Sequence, residues 1–186
     1  MKITVGVSNR HVHLTKEVYE ILFPGKTMEK RNDLHQIGEF ASTDTVILEY
    51  NGRQIEEVRV LGPFRKYNQV ELLGSDLEYF GLDAPVRRSG DLEGTPGITL
   101  INEKNCVKLD FGVIRAERHV HVPTFLENEY DLHERDKVML YGKDFSFDAN
   151  VKVTNNGYYE VHIDKDEARE YGLSNGDELE LIKCGK

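Results

Sequence analysis

The sequence predicts a mainly β protein of the α+β class, with two related β-barrel domains capped by short helices. Three observations predict this fold: many short strand patterns between Gly/Pro turns, few and brief helix patterns, and an internal repeat. The 186 residues suffice for one large or two small domains, at about 150 residues per domain. Many short strands with very short helices are typical of barrels and not of a doubly wound sheet.

Strand patterns begin at the first residues of the chain. Apolar residues alternate with polar or small ones over Ile3–Val7, which is typical of a half-buried strand. Asn51-Gly52 within Thr45–Leu61 predicts a hairpin, because Asn-Gly supplies the positive φ angles of a tight turn. Asn156-Gly157 within Val151–Ile163 predicts a second hairpin in the same way.

Three short helices are predicted from capping and stop signals. They run from Thr15 through Phe23, from Ser75 to Gly81, and from Asp164 to Gly172. A glycine at the end of a helix can adopt the left-handed conformation that closes the last turn.

The chain also repeats itself. Val5–Leu14 resembles Val113–Val122, and the tetrapeptide Arg-His-Val-His is identical in both segments. Glu71 and His162 each lie ten residues before a Gly-Leu pair, so they take equivalent places in the two copies. Such a repeat favours two small related domains.

Composition excludes several classes of function. The formal net charge is −9 and the pI is about 5.3, which argues against a nucleic-acid surface, because such surfaces need positive charge. No apolar run is long enough to span a membrane. Cys106 and Cys184 lie far apart, which is typical of reduced thiols. We therefore expect a cytoplasmic protein with neither nucleic-acid nor membrane partners.

Two His-x-His pairs are the strongest chemical signal, at His11 and His13 and at His119 and His121. Residues i and i+2 of a strand point to the same face, so two imidazoles can converge on one metal ion. A third ligand from a neighbouring strand, such as Glu71 or His162, would leave a position open for water or substrate. A single His-x-His can also be two surface histidines, but the duplication favours metal binding.

One arginine is a candidate for anion binding. Arg65 follows the Gly62-Pro63 turn and precedes Glu71 by six residues, and its planar guanidinium suits phosphate oxygens. Arg10 and Arg118 precede the two His-x-His pairs and could form surface ion pairs instead. The sequence contains no Walker or GxGxxG motif, and neither cysteine lies beside a histidine, so a covalent enzyme intermediate is not expected.

Five segments together resemble the PduL-type phosphate propanoyltransferase family, whose members are also called phosphotransacylases. They are VGVSNRHVHLT, VRVLGPFRKYNQVEL, APVRRSGDLEGTPGITL, GVIRAERHVHV and VHIDKDEA. The resemblance implies interconversion of acyl-CoA (propanoyl or acetyl) plus phosphate with acyl phosphate plus CoA. It also implies two β-barrels, 10–116 and 1–9 with 117–186, with a two-zinc site where they meet.

The resemblance also implies roles for individual residues. One zinc ion would be held by His11, His13 and Glu71, and a second by His119, His121 and His162. Arg65 would be the catalytic, phosphate-binding arginine, and Gln69 and Ser89 would line the substrate site. Glu39 stands where the family usually has Gln and Lys152 where it usually has Arg. The N-terminal extension that targets many members to a microcompartment is not seen.

The expected mechanism is direct attack of phosphate on the thioester at the two-zinc site. Two alternatives stay open at this point: a two-metal hydrolase, and a non-enzymatic binding module stabilised by metal. The sequence leaves open the acyl chain length and whether the protein is a homo-oligomer.

Overall fold

The computed structural model describes residues 1–155 and 157–185. The strands, in chain order, are β1 (Lys2–Ser8), β2 (His11–His13), β3 (Lys30–Asp33), β4 (Phe40–Tyr50), β5 (Arg53–Gly62), β6 (Gln69–Glu71), β7 (Val86–Arg87), β8 (Ile98–Asn102), β9 (Asn105–Leu109), β10 (Val113–Ala116), β11 (His119–Pro123), β12 (Lys137–Tyr141), β13 (Ser146–Thr154), β14 (Glu160–Asp164) and β15 (Glu178–Lys183). The helices are α1 (Lys16–Leu22), α2 (Gly74–Phe80), α3 (Thr124–Tyr130) and α4 (Lys165–Tyr171).

The chain divides into two compact units. The first unit, Arg10–Ala116, contains a nine-stranded sheet in the order β7-β10-β6-β2-β5-β4-β8-β9, with β3 paired to β4. The second unit joins Met1–Asn9 to the residues from Glu117 onward and contains a closed barrel in the order β1-β14-β11-β13-β12-β15. The mainly β class with short capping helices is confirmed. Within the described ranges, no helix is long and apolar enough to cross a membrane.

The sequence repeat is a repeat of strand pairing. In the first unit β2 is antiparallel to β6 and parallel to β5. In the second unit β11 is antiparallel to β14 and parallel to β13. His11 lies opposite Glu71 in the first pair, and His119 lies opposite His162 in the second. The equivalence of Glu71 and His162 therefore holds in three dimensions.

One of the two hairpin predictions is confirmed. β4 and β5 are antiparallel neighbours, and Asn51 and Gly52 have φ angles of 51° and 71° at the turn. The second prediction is wrong, because β11 lies between β13 and β14 and pairs with both strands. Asn156, in the predicted turn of this second hairpin, lies outside the described residues. The insertion of β11 is what brings its two histidines beside His162 of β14.

Local capping explains where most helices begin. The Thr15 hydroxyl accepts the Val18 N–H at 3.3 Å before α1, and a capping box of Asp164 and Glu167 begins α4, as predicted. The helix α2 begins earlier than predicted, at Gly74. The helix α3 was not predicted, because Pro123 precedes it and offers no side-chain acceptor.

Each unit has its own apolar core, and the central valine of each His-x-His pair belongs to it. Val12 packs among buried residues of the first unit and Val120 among those of the second, and neither is exposed to solvent. Because side chains alternate along a strand, the flanking histidines point away from these cores to the opposite face.

Candidate active site

The first ligand cluster is formed by two histidines of β2 and a glutamate of β6. The Nε2 atoms of His11 and His13 lie 3.2 Å apart. The Glu71 carboxylate lies 3.3 Å from His11 Nε2 and 4.0 Å from His13 Nε2. One ligand atom from each residue falls within 4.8 Å of the other two, so the three could hold one metal ion.

The second ligand cluster is formed by two histidines of β11 and one of β14. The Nε2 atoms of His119 and His121 lie 3.0 Å apart, and His162 brings a third ligand atom within 4.8 Å of both. His119 Nδ1 lies 2.9 Å from the carbonyl oxygen of Glu117. An N–H on Nδ1 that donates to this carbonyl leaves the Nε2 lone pair for a metal.

His121 is held in its neutral form. Its side chain is only 1% exposed. Burial first, and then the charges of His119, His162 and Lys152, lower the pKa of this imidazole from 6.5 to about 2. Neutral imidazole is the form that binds metals.

The two donor sets fit a zinc ion by their chemistry. Two imidazoles with a carboxylate, or three imidazoles, are ligand sets of catalytic zinc sites. In the barrel, Gly6 is the β1 partner of His162. A Cβ atom at Gly6 would lie 2.7 Å from His162 Nε2 and 2.8 Å from Glu160 Cδ. Only glycine therefore leaves room for the present positions of these two side chains.

Gln69 connects Glu71 to the loop that contains Ser89. The Gln69 amide donates to Glu71 Oε1 at 2.7 Å and to Ser89 Oγ at 3.0 Å. Its carbonyl oxygen accepts the Gly90 N–H at 2.8 Å. Gln69 is fully buried, so these contacts fix both the glutamate and the loop. The structure thus brings together three residues that the sequence predicted for the site.

Arg65 is anchored just beyond β2. Its backbone N–H donates to the carbonyl of Leu14, which directly follows His13, at 2.9 Å. Its guanidinium donates to the Tyr67 hydroxyl at 3.0 Å and forms an ion pair with Glu39. The sequence analysis missed Tyr67, for which no local signal existed.

The arginines that precede the histidine pairs bind helix-capping carboxylates. Arg10 Nε lies 2.9 Å from both carboxylate oxygens of Asp76, and Arg118 Nε lies 2.7 Å from Glu167 Oε1. The same two carboxylates accept, at 3.0 Å, the backbone N–H groups of the residues that cap α2 and α4, Leu73 and Asp164. This contact is therefore the same in both units, and it explains why each histidine pair follows an arginine.

Two groups beside His162 were also missed by the sequence analysis. Glu160 Oε2 lies 3.0 Å and the Tyr158 hydroxyl 2.8 Å from His162 Nε2. The repeat held a signal for one of them, because Gln69 precedes Glu71 by two residues and Glu160 precedes His162 by two. The remaining histidines, His35 and His133, are exposed.

Comparisons with known proteins agree on one family. The family model described as phosphate propanoyltransferase matches residues 4–174. A phosphate propanoyltransferase of Thermotoga maritima is 40% identical, over 97% of this chain and 89% of that protein. Those of Shewanella putrefaciens and Salmonella typhimurium are each 39% identical, over 94% and 93% of this chain, and 85% of each relative is covered.

Proposed function

The chain belongs to the phosphate propanoyltransferase family, and we propose that it interconverts an acyl-CoA plus phosphate with an acyl phosphate plus CoA. The acyl group is propanoyl or acetyl. The observation that carries the proposal is the backbone contact of Arg65 with Leu14, directly after His13. It joins the loop that contains a guanidinium suited to phosphate to the strand end that contains two residues of the first ligand cluster.

Each proposed domain, 10–116 and 1–9 with 117–186, would hold one zinc ion. The ligands would be His11, His13 and Glu71 in the first, and His119, His121 and His162 in the second. When bound, zinc supplies Lewis-acid polarisation of a thioester carbonyl and a binding site for phosphate oxygens.

Arg65 orients the phosphate. Its guanidinium can direct two parallel N–H groups at two phosphate oxygens, which fixes the directions of the other two. Tyr67 holds one edge of the guanidinium at 3.0 Å, so little freedom is lost when phosphate binds. Holding both substrates in this way makes the reaction effectively unimolecular.

The reaction is a direct displacement. A phosphate oxygen attacks the acyl carbon, the carbon–sulfur bond breaks, and the CoA thiolate leaves. The protein's own task is to position the reactants, and Gln69 does so by fixing Glu71 and the Ser89 loop together. A covalent intermediate on the protein is not needed.

The decisive experiment combines metal analysis with an acyl-transfer assay. We expect two zinc ions per chain, and release of CoA from propanoyl-CoA or acetyl-CoA that requires phosphate and yields acyl phosphate. Thioester cleavage without phosphate would indicate a two-metal hydrolase instead. Bound metal with no reaction on either acyl-CoA would indicate a non-enzymatic, metal-stabilised module.

A further inference from the structure

The two ligand clusters differ in their third ligand, and the residue two positions before it differs too. The first cluster uses Glu71 and is preceded by Gln69, whereas the second uses His162 and is preceded by Glu160. The strand register makes the preceding residues equivalent, because Gln69 lies opposite His13 and Glu160 lies opposite His121.

These pairs are matched in hydrogen-bond polarity. A carboxylate ligand such as Glu71 can only accept, and the Gln69 amide donates an N–H to it at 2.7 Å. An imidazole ligand has one N–H to donate, and the Glu160 carboxylate is an acceptor 3.0 Å from His162 Nε2. Where Glu71 is replaced by His162 as the ligand, the amide donor Gln69 is therefore replaced by the carboxylate acceptor Glu160.

The surroundings of His162 indicate which of its ring nitrogens carries the proton. Nε2 lies within hydrogen-bond distance of two oxygens, the Glu160 carboxylate at 3.0 Å and the Tyr158 hydroxyl at 2.8 Å. When the Glu160 carboxylate is ionised it can only accept, so Nε2 is the donor in that contact and the Tyr158 hydroxyl does not donate to it. The lone pair of the neutral ring is then on Nδ1.

We propose that Glu160 is a positioning residue that holds the Nε2–H of His162, so that His162 presents Nδ1 to the metal. His119 has the opposite arrangement, because its Nδ1 faces the Glu117 carbonyl at 2.9 Å and leaves Nε2 as the ligand atom. Glu160 is only 4% exposed, and a buried carboxylate that accepts from a ligating histidine fixes the ring and raises its basicity.

Gly6 is part of the same arrangement. A Cβ there would collide with both the His162 ring and the Glu160 carboxyl group, at 2.7 Å and 2.8 Å. Because Gly6 has no side chain, the Glu160 carboxylate and the His162 imidazole can both pack against the backbone of β1.

The inference rests on the proposed function only in that the barrel holds a metal ion, so it can be tested without an activity assay. In the zinc-loaded, nitrogen-15-labelled full chain, the imidazole NMR spectrum should show His162 protonated at Nε2 and zinc-bound through Nδ1. In the Glu160→Gln variant, the affinity of one of the two zinc sites, measured by competition with a chelator, should be lower by about 10- to 100-fold. Glu180→Gln makes the same change at an exposed site on the same barrel and should leave both affinities unchanged.

His162 bound through Nε2, or wild-type zinc affinity in Glu160→Gln, would overturn the inference. If Glu160→Gln does not fold, Glu160→Asp keeps the carboxylate with a shorter reach and should still lower the zinc affinity, by less than the roughly 10- to 100-fold expected of Glu160→Gln. A wild-type chain that binds no metal would overturn both the inference and the proposed function. Two bound zinc ions without acyl transfer would contradict the proposed function alone.

Discussion

The carboxylate of Glu39 forms an ion pair with the guanidinium of Arg65. Both side chains are mostly buried, at 18% and 23% exposure, so the pair is only partly screened by solvent. Phosphate would need the same guanidinium, and a carboxylate beside it competes for its N–H groups. We therefore expect the Glu39 carboxylate to weaken phosphate binding at Arg65.

Replacing Glu39 by Gln should therefore strengthen phosphate binding. Releasing an ion pair of about 1 kcal/mol corresponds to about a fivefold lower apparent KM for phosphate. The measurement is initial rate against phosphate concentration at saturating acyl-CoA. Glu56→Gln, the same change at an exposed position of β5, is the control. A higher KM in Glu39→Gln would mean that the glutamate positions the arginine instead of competing with phosphate.

Arg65 itself should be needed for phosphate use and dispensable for metal binding. Arg65→Lys keeps the charge and loses the two-pronged geometry, so the phosphate KM should rise while zinc content stays the same. Arg65→Ala should lose more, about 1.5–3 kcal/mol of phosphate interaction. Arg31→Lys, at an exposed position of β3, is the matched control. Unchanged phosphate kinetics in Arg65→Ala would remove this residue from the site.

The histidines of β11 should account for one of two metal ions. Replacing both His119 and His121 by Ala should lower zinc from two ions per chain to one and abolish acyl transfer, because only His162 of that cluster is left. His35→Ala, which removes an exposed histidine, should change neither quantity. Circular dichroism of each variant separates metal loss from unfolding. Two retained zinc ions in the double variant would refute the assignment.

The contact between Arg10 and Asp76 should matter for stability. Asp76→Ala removes the carboxylate that binds Arg10 and accepts the Leu73 N–H, and Asp76 is 4% exposed. The Arg10 side chain is 30% exposed, so losing one partner of this part-buried pair should lower the free energy of unfolding by about 1.5–3 kcal/mol. Asp91→Ala breaks an exposed pair with Arg87 and should cost less than about 1 kcal/mol. Equal urea midpoints in these variants would contradict the prediction.

The strand alternation in the sequence was enough to predict that each His-x-His pair converges. The repeat predicted the third ligand of each pair, Glu71 in the first copy and His162 in the second, because equivalent positions in a duplicated fold keep equivalent surroundings. The insertion of β11 between β13 and β14 could not be predicted in this way. A local turn signal favoured a hairpin, whereas the long-range pairing of β11 with both strands prevailed. Gly6 is significant only because β1 pairs with β14, which is likewise a long-range contact.

The metal-free protein should lose stability in mild acid. His121 has a pKa lowered to about 2 by burial and by its charged neighbours, whereas the unfolded chain titrates near 6.5. Below about pH 6.5 the unfolded state binds a proton that the folded state does not, so stability falls as pH falls. One pH unit below that value costs about 1.4 kcal/mol from this residue.

The measurement is urea unfolding of the chelator-treated protein near neutral pH and at about pH 5.5. His121→Asn should be less stable than the wild type near neutral pH. Its free energy of unfolding should fall less between neutral pH and about pH 5.5, because the titrating group is gone. His133 is a control of opposite sign, since hydrogen bonds with Glu127 and then Asp131 raise its pKa. Its contribution is fully present below the unfolded pKa and is lost as pH rises through the folded one, so His133→Gln should steepen the loss in acid. An unchanged pH dependence in His121→Asn would mean that this imidazole is not the group that destabilises the fold in acid.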